Sequence, residues 1–393
     1  MMKRFASIML AIVMSIIGGS TVSAYAISIR GLEGEYDIRI TASPITYEDG
    51  IIFAGKYSDA QPTDNTVKAM IWQVDENGNI VWSYECGEDG TKNTISKLHI
   101  NQDGEVLAYL TVVDQSMSIE QYILRFEDER LTDSVSLPKE SYLISFVDDG
   151  MLLQEHRGSS AAENVSMQDE WNLTYFDGQF NRSWACELDG DITFAGATEL
   201  SDRYVVYGSI ENQDGTFYQY IMCIDNDGNC IWSNKKQYES GRYFAATEGA
   251  QGDVIVVGGQ YSAQNNSGLS VADIACYSGN GVLKWEKSEI VGERGFLYQD
   301  IVHVSDGYVV VGANGLMQQT VSMTYYDFFG NVVIRWDEPL NQGFNYVDYL
   351  RLLEHDGEVY VTVASEYSVD NIGLPERLIY RTQIKKMNGF ECQ

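Results

Sequence analysis

Five stretches of the chain vary one pattern, and it restricts the possible folds more than any other feature of the 393 residues. Ile224-Asp225-Asn226-Asp227-Gly228-Asn229-Cys230-Ile231-Trp232 reads as a tight hairpin turn followed by a strand that ends on a buried Trp. The pattern returns over 74–82 and 277–285, and as Phe329-Gly330-Asn331 running on to Trp336. Phe176-Asp177-Gly178 running on to Trp184 is a looser copy. Trp82, Trp184, Trp232, Trp285 and Trp336 lie 102, 48, 53 and 51 residues apart, the first gap being a double step. A period of about fifty residues marks a chain built from repeated supersecondary units.

Each repeat divides into four β-rich runs separated by Gly, Asn and Asp turns, with no long helical period in competition. The first repeat reads as strands over 38–47, 51–55, 68–75 and 80–86. Its second run recurs near residues 105, 151, 204, 254, 308 and 358, making seven copies. The expectation is therefore an all-β fold, a seven-bladed β-propeller of four-stranded blades, within the usual range of about four to eight. A parallel β-helix needs much shorter coils, and a row of sandwich domains needs about a hundred residues each. Blade 2 is degenerate, with Phe126-Glu127-Asp128-Glu129-Arg130 in place of the Gly turn and no Trp. Blade 7 begins at Phe344 and has only four residues left after Gly389, too few for a full outer strand. Residues 27–30 are β-prone and are expected to pair with that unfinished outer edge.

Lys3 and Arg4 precede an uncharged apolar run over 5–17 and the small-residue site Ala24-Tyr25-Ala26. Residues 1–26 thus read as a secretory signal peptide, leaving 27–393 as a single propeller domain, secreted to the extracellular space or cell envelope. The apolar run is shorter than the roughly twenty residues of a spanning helix, so no membrane span is expected. With 57 acidic against 26 basic residues, the net charge of −31 repels phosphate backbones and argues against a nucleic-acid partner. A monomer is expected. Of the six Cys, only Cys223 and Cys230 share a hairpin. A three-residue turn places them on opposite faces and a four-residue turn on one, and packed, unpaired thiols are the expected state.

The turns joining strands one to two and three to four are short, and Gly supplies their positive φ. Both lie at one end of an up-and-down blade. The remaining connections, such as 56–67, 156–170, 259–269 and 364–376, are long and hold four of the five Pro residues. Pro44 falls in an innermost strand, whose open edge tolerates it. Binding residues concentrate on loops held by a rigid scaffold, so the long-loop ends are the expected recognition surface.

Catalytic patterns are sparse. His99, His156, His303 and His355 show no ligand spacing, and no metal site is expected. No Gly-x-Ser-x-Gly occurs. Asp225-Asn226-Asp227-Gly228-Asn229 begins like a calcium loop, but position twelve is Lys236 where such a loop needs Glu. Aromatics recur where innermost strands enter from the loop end: Tyr142, Phe194, Phe244, Phe296 and Phe344 with Tyr346. Interblade packing accounts for most of the Phe, leaving Tyr and charged neighbours as candidates for a site that stacks on sugars or grips a peptide. The nominated ligand-binding set is Arg242, Arg294, Tyr298, Tyr346 and Asp348, two Arg standing out on an acidic surface.

The Asp-x-x-Gly-Asn-x-x-Trp pattern at 75–82 and 225–232 resembles the tryptophan-docking repeats of quinoprotein-like (PQQ-like) propellers, in which the Trp of one blade packs on a peptide plane of its neighbour. The cofactor-binding dehydrogenases of that group carry a vicinal Cys pair; none occurs here, and the Asp-to-Gly spacing is one residue shorter. No cofactor is therefore expected. The sialidase Asp-box places Gly three residues before Trp, whereas Gly78 and Gly228 precede theirs by four. Together these readings point to a secreted, non-catalytic binding or scaffold propeller that uses its long-loop face for a carbohydrate or peptide ligand. The alternative is an extracellular hydrolase or lyase with acidic residues at the channel mouth.

Overall fold

In a computed structural model of the chain, the alternation of apolar runs and turns becomes antiparallel sheets, seven of them among the described residues. The structure describes residues 26–30, 36–48, 50–59, 66–75, 79–147, 150–156, 171–212, 215–236, 240–261, 270–290, 296–313, 320–339, 344–355, 358–369 and 377–387. The signal-peptide reading therefore lies outside the described residues. Six sheets have four strands, and the first blade's has five pieces. The fold is a β-propeller of four-stranded blades.

The chain groups into two compact units. One comprises Met1–Leu137, Met317–Gln319 and Pro339–Gln393, with blades 7, 1 and 2; the other comprises Pro138–Leu316 and Thr320–Glu338, with blades 3 to 6. In the second unit the innermost strands of consecutive blades, Ser141–Val147, Asp191–Leu200, Ser240–Glu248 and Leu297–Val304, lie side by side. Sheets packed on both faces need apolar residues on both faces of their middle strands. Gly307–Ala313 is accordingly buried along its whole length, while the outermost Cys230–Lys235 alternates exposed with half-buried.

Blade 7 is completed as its sequence requires. Ala26–Arg30 pairs antiparallel with Arg377–Met387, from Ala26 opposite Lys385 to Arg30 opposite Arg381. A strand from the chain's beginning thus covers the open edge of a sheet made by its end. Deleting residues 27–34 is expected to lower the melting temperature by several degrees, since about 1 kcal/mol shifts a domain of this size by roughly 2 °C or more. An unchanged melt would remove the strand from the stability account.

Innermost strands depart from the regular reading. The expected single strand over 38–47 is broken into Tyr36–Ile40 and Ile45–Tyr47, both paired with Gly50–Asp59. Pro44 has no N–H for the ladder, and the N–H groups of Thr41 and Ala42 share the Ala54 carbonyl at 3.1 and 3.4 Å. Blades 2 to 6 each shift register once in the same strand, between Ile95 and Lys97, Leu143 and Ser145, Phe194 and Gly196, Tyr243 and Ala245, and Tyr298 and Asp300. The residue just before each bulge is a core residue: Ile95, Leu143, Phe194, Tyr243 and Tyr298 are all buried.

The Gly of the Asp-x-x-Gly-Asn turn has two roles. Gly228, Gly281 and Gly330 adopt φ of 87°, 80° and 76°, and in the first and last of these turns the Asp three places earlier accepts the turn's amides. Asp225 Oδ1 takes the N–H of Asp227 and Asn229 at 3.0 and 2.8 Å, and Asn229 Nδ2 donates to Oδ2 at 3.0 Å. These bonds, the Asn229 side chain's first, hold the Asp225 carboxyl below its usual range. The same glycines also lie under the Trp of the preceding blade. A Cβ at Gly228 would stand 2.7 Å from the Trp184 ring, at Gly281 2.6 Å from Trp232, and at Gly330 2.7 Å from Trp285. Trp232 also stacks on Tyr277 at 5.8 Å and donates its indole N–H to the Gly279 carbonyl at 3.0 Å. The Trp rings are less enclosed than their sequence setting suggests: Trp82 is buried, but Trp184, Trp232 and Trp285 are half-buried. Blade 2 makes its turn without Gly, placing Asp128 and Glu129 at φ of 48° and 64°, and Trp82 packs on Phe126 instead.

In the turns between first and second strands the glycine rule holds in blade 2, where Gly104 has φ of 80°, but not in blades 3 and 6. Gly150 and Gly307 are required by close approach rather than by φ, since a Cβ there would collide with the carbonyl of Phe176 or Tyr326 in the third strand. Cys223 pairs with Trp232 and Ile224 with Cys230, so the three-residue turn is the one formed and the two sulfurs point to opposite faces. The five described Cys are free thiols, and burial pushes Cys86 and Cys276 up to about 12.

Candidate functional site

The hairpin ends of the blades are closed by side chains that serve the turns themselves. Among the described residues, a partly exposed group of side chains stands at a loop end in each unit.

In the first unit a cleft of about 380 Å³ opens at the loop end of blade 2. The connection from blade 1 contributes Glu88 and Thr91, the second strand (Val106–Val113) contributes Leu110 and Val112, and the turn beyond it contributes Asp114 and Ser118. Glu120 and Tyr122, from Ile119–Glu127, form another wall. Tyr122 donates its hydroxyl to Glu120 Oε2 at 2.6 Å; that bond, burial and the charges of Glu120 and Glu88 push its phenol above the usual value. Asp114 Oδ1 accepts the Ser116 hydroxyl and amide at 2.7 and 2.8 Å and the Ser118 amide at 2.9 Å. The Ser116 hydroxyl and the Ser118 amide hold the Asp114 carboxyl below its usual range, an ionised acceptor rather than a proton donor. Asn93, buried at the base, is fixed by bonds to Val67 O and Thr91 Oγ1 at 2.8 and 2.7 Å. The cleft is a concave, acceptor-rich surface over an apolar floor, suited to a ligand that brings hydrogen-bond donors.

In the second unit three rings meet at the loop end of blade 3. Tyr142 stands opposite Gln154, and His156 opposite Trp171, so the register puts all four on one face of the sheet. Tyr142 and Trp171 lie 6.1 Å apart at 45°, and His156 meets Trp171 edge-on at 5.0 Å. Tyr142 is 49% exposed. His156 Nδ1 lies 3.3 Å from Glu140 Oε2, and its backbone N–H donates to the Glu140 carbonyl at 3.0 Å.

The residues nominated from sequence fare differently. Tyr298 is withdrawn: it is fully buried, its hydroxyl shares a 2.6 Å bond with that of Tyr326, and it lies 3.5 Å from Glu289. It occupies the core position before the bulge. Arg242 Nη2 donates to the Phe194 carbonyl at 3.1 Å, tying blade 5 to blade 4. Arg294 lies outside the described residues, as do the side chains of Tyr346 and Asp348 on the strand Phe344–His355. Phe194 and Phe296 are core residues, as interblade packing requires; among the described members of that series Phe244 is half-buried and Tyr142 is exposed. The sequence gives no comparable signal for Trp171, Glu120 and Tyr122. Each stands at the start of a third strand just after a loop, and only register shows which way it faces.

No group of three or more His, Cys, Asp or Glu among the described residues is placed to hold a metal ion, and no helix among them is long and apolar enough to cross a membrane. No family model matches the sequence, and no curated protein does. Among solved structures, the β-propeller domain of the Trilobed protease from Pyrococcus furiosus aligns with TM-score 0.50 at 13% identity, over 91% of this chain and 95% of that one. A protein of unknown function from Dyadobacter fermentans aligns with TM-score 0.49 at 12% identity, over 90% and 95%. Drosophila Semaphorin 1a, extracellular domains 1–2, aligns with TM-score 0.49 at 6% identity, over 91% and 87%. The fold and the likeness to the protease's propeller domain define the class: a β-propeller.

Proposed function

We propose that this chain is a secreted, monomeric, non-catalytic binding or scaffold propeller of the quinoprotein-like type, recognising a carbohydrate or peptide ligand at the loop ends of its blades. The blade 2 cleft carries this reading. It is concave, its acceptors are held by their own loop, and its best-defined carboxylate is tuned away from acid catalysis. At the hairpin ends, side chains such as Asp225 and Asn229 are engaged in closing the turns.

A glycan and peptide array probed with the secreted protein tests the reading. Glu120→Gln is expected to weaken array binding by about tenfold, the size of one charge-assisted hydrogen bond. Asn226→Ala, at an exposed hairpin end, is expected to leave it unchanged. Equal losses in the two variants, or array spots that release cleaved product, would overturn it. Arg242→Ala, Arg294→Ala, Tyr346→Ala and Asp348→Ala form the next set to be measured on the same spots.

A further inference from the structure

We infer that Tyr142 and Trp171, with His156 and Glu140 at their rim, form a platform for the sugar ring of a neutral oligosaccharide at the loop end of blade 3. The inference rests on the reading that the loop ends bind ligands, and it names the ligand class.

Three observations lead to it. First, a large aromatic side chain normally finds cover in a core, as Phe194 and Phe296 do at core-facing places of their own strands. Tyr142 instead remains 49% exposed beside a half-buried Trp171, with the ring planes 45° apart. Second, the backbone fixes the patch. Trp171 and His156 are opposed in register, and Gln154, between His156 and Tyr142, donates to the Ile192 carbonyl of blade 4 at 2.6 Å. Strand pairing thus fixes the backbone under the patch before any ligand arrives, which lowers the entropy cost of binding. Third, polar groups stand at the edge of the rings: the Glu140 carboxylate is 68% exposed and the His156 imidazole is set against it.

A pyranose presents a flat C–H face and a girdle of hydroxyls. The first matches an open aromatic face and the second a carboxylate at its rim. An apolar peptide side chain is better served by an enclosing pocket than by an open face. Charge narrows the class further. Glu140 and a chain charge of −31 disfavour uronate or sulfated sugars, leaving neutral ones.

The test uses the full secreted chain with hexasaccharides of β-1,4-linked glucose, xylose and N-acetylglucosamine, titrated by calorimetry. At least one is expected to bind. Tyr142→Ala and Trp171→Ala are each expected to weaken that binding by about tenfold, while Tyr142→Phe keeps the ring and most of the affinity. Tyr142→Ala should leave the melting temperature unchanged, which separates a binding effect from a folding defect. No binding by the unsubstituted chain to any of the three sugars overturns the platform, as does binding indifferent to Tyr142→Ala. Loss of a peptide-array signal in Tyr142→Ala, without sugar binding, would assign the patch to a peptide and overturn it too. If a ligand depends on Glu120 and not on Tyr142, the loop-end reading survives and the platform falls; if neither residue matters, both fall.

Discussion

Asp273→Ala is expected to cost on the order of 3–5 kcal/mol of stability, read as a large fall in the denaturant midpoint. Asp273 is fully buried in the third strand of blade 5, Ser270–Tyr277. Its Oδ2 accepts Gln219 and Gln260 Nε2 at 3.0 and 2.6 Å, and its Oδ1 accepts the Ser288 hydroxyl at 2.5 Å. Lys236 Nζ lies 3.3 Å from Oδ2 and also pairs with Glu286. Gln219 and Lys236 come from blade 4 and the others from blade 5, so one carboxylate links two blades. Removing it leaves two buried amides without their acceptor and a nearly buried ammonium short of a counter-charge. Stranding those partners, more than giving up the attraction between them, makes such a change expensive. Replacing Asp273 and Lys236 together by Leu and Met should recover only the part of the loss that comes from the stranded ammonium, since both amides still lack their acceptor. A single-variant cost below about 1 kcal/mol, or no recovery in the double, would show that the pair contributes little.

Trp232→Ala is expected to be nearly as damaging, at about 3 kcal/mol, the lower end for a large aromatic because the ring is half-buried. The change removes the stack on Tyr277, the bond to the Gly279 carbonyl and the cover over Gly281. Gly281→Ala attacks the same packing from the other side, combining strain at φ 80° with a Cβ forced into the Trp232 ring. The two changes should not add. With Trp232 already replaced, Gly281→Ala should retain only its backbone cost of about 1 kcal/mol. Additive losses would mean that the ring does not rest on the glycine.

Much of the architecture was legible because its causes are local. The period of Trp and Gly-Asn turns set the repeat length, the seven copies of the second run set the number of blades, and alternation with short turns set four strands in each. The shortfall after Gly389 called for an outside strand, and Ala26–Arg30 supplies it. The candidate site was legible only in outline. Its end of the blades followed from loop length and Pro placement, and Tyr142 stood among the nominated aromatics.

What the sequence determined by itself was therefore connectivity: which runs are strands, which turns are tight and which end of each blade carries loops. What only the tertiary structure decided was facing. Side chains alternate with a period of two, so one extra residue reverses every face beyond it. The innermost strands of blades 2 to 6 each carry their bulge just after a core residue, so Tyr298 shares the buried place of Leu143, Phe194 and Tyr243, while Tyr142, one place before Leu143, is exposed. The same holds between blades. That Gly228 carries Trp184 and that Asp273 meets Lys236 depend on residues 44 and 37 positions apart, brought together by packing rather than by any local preference.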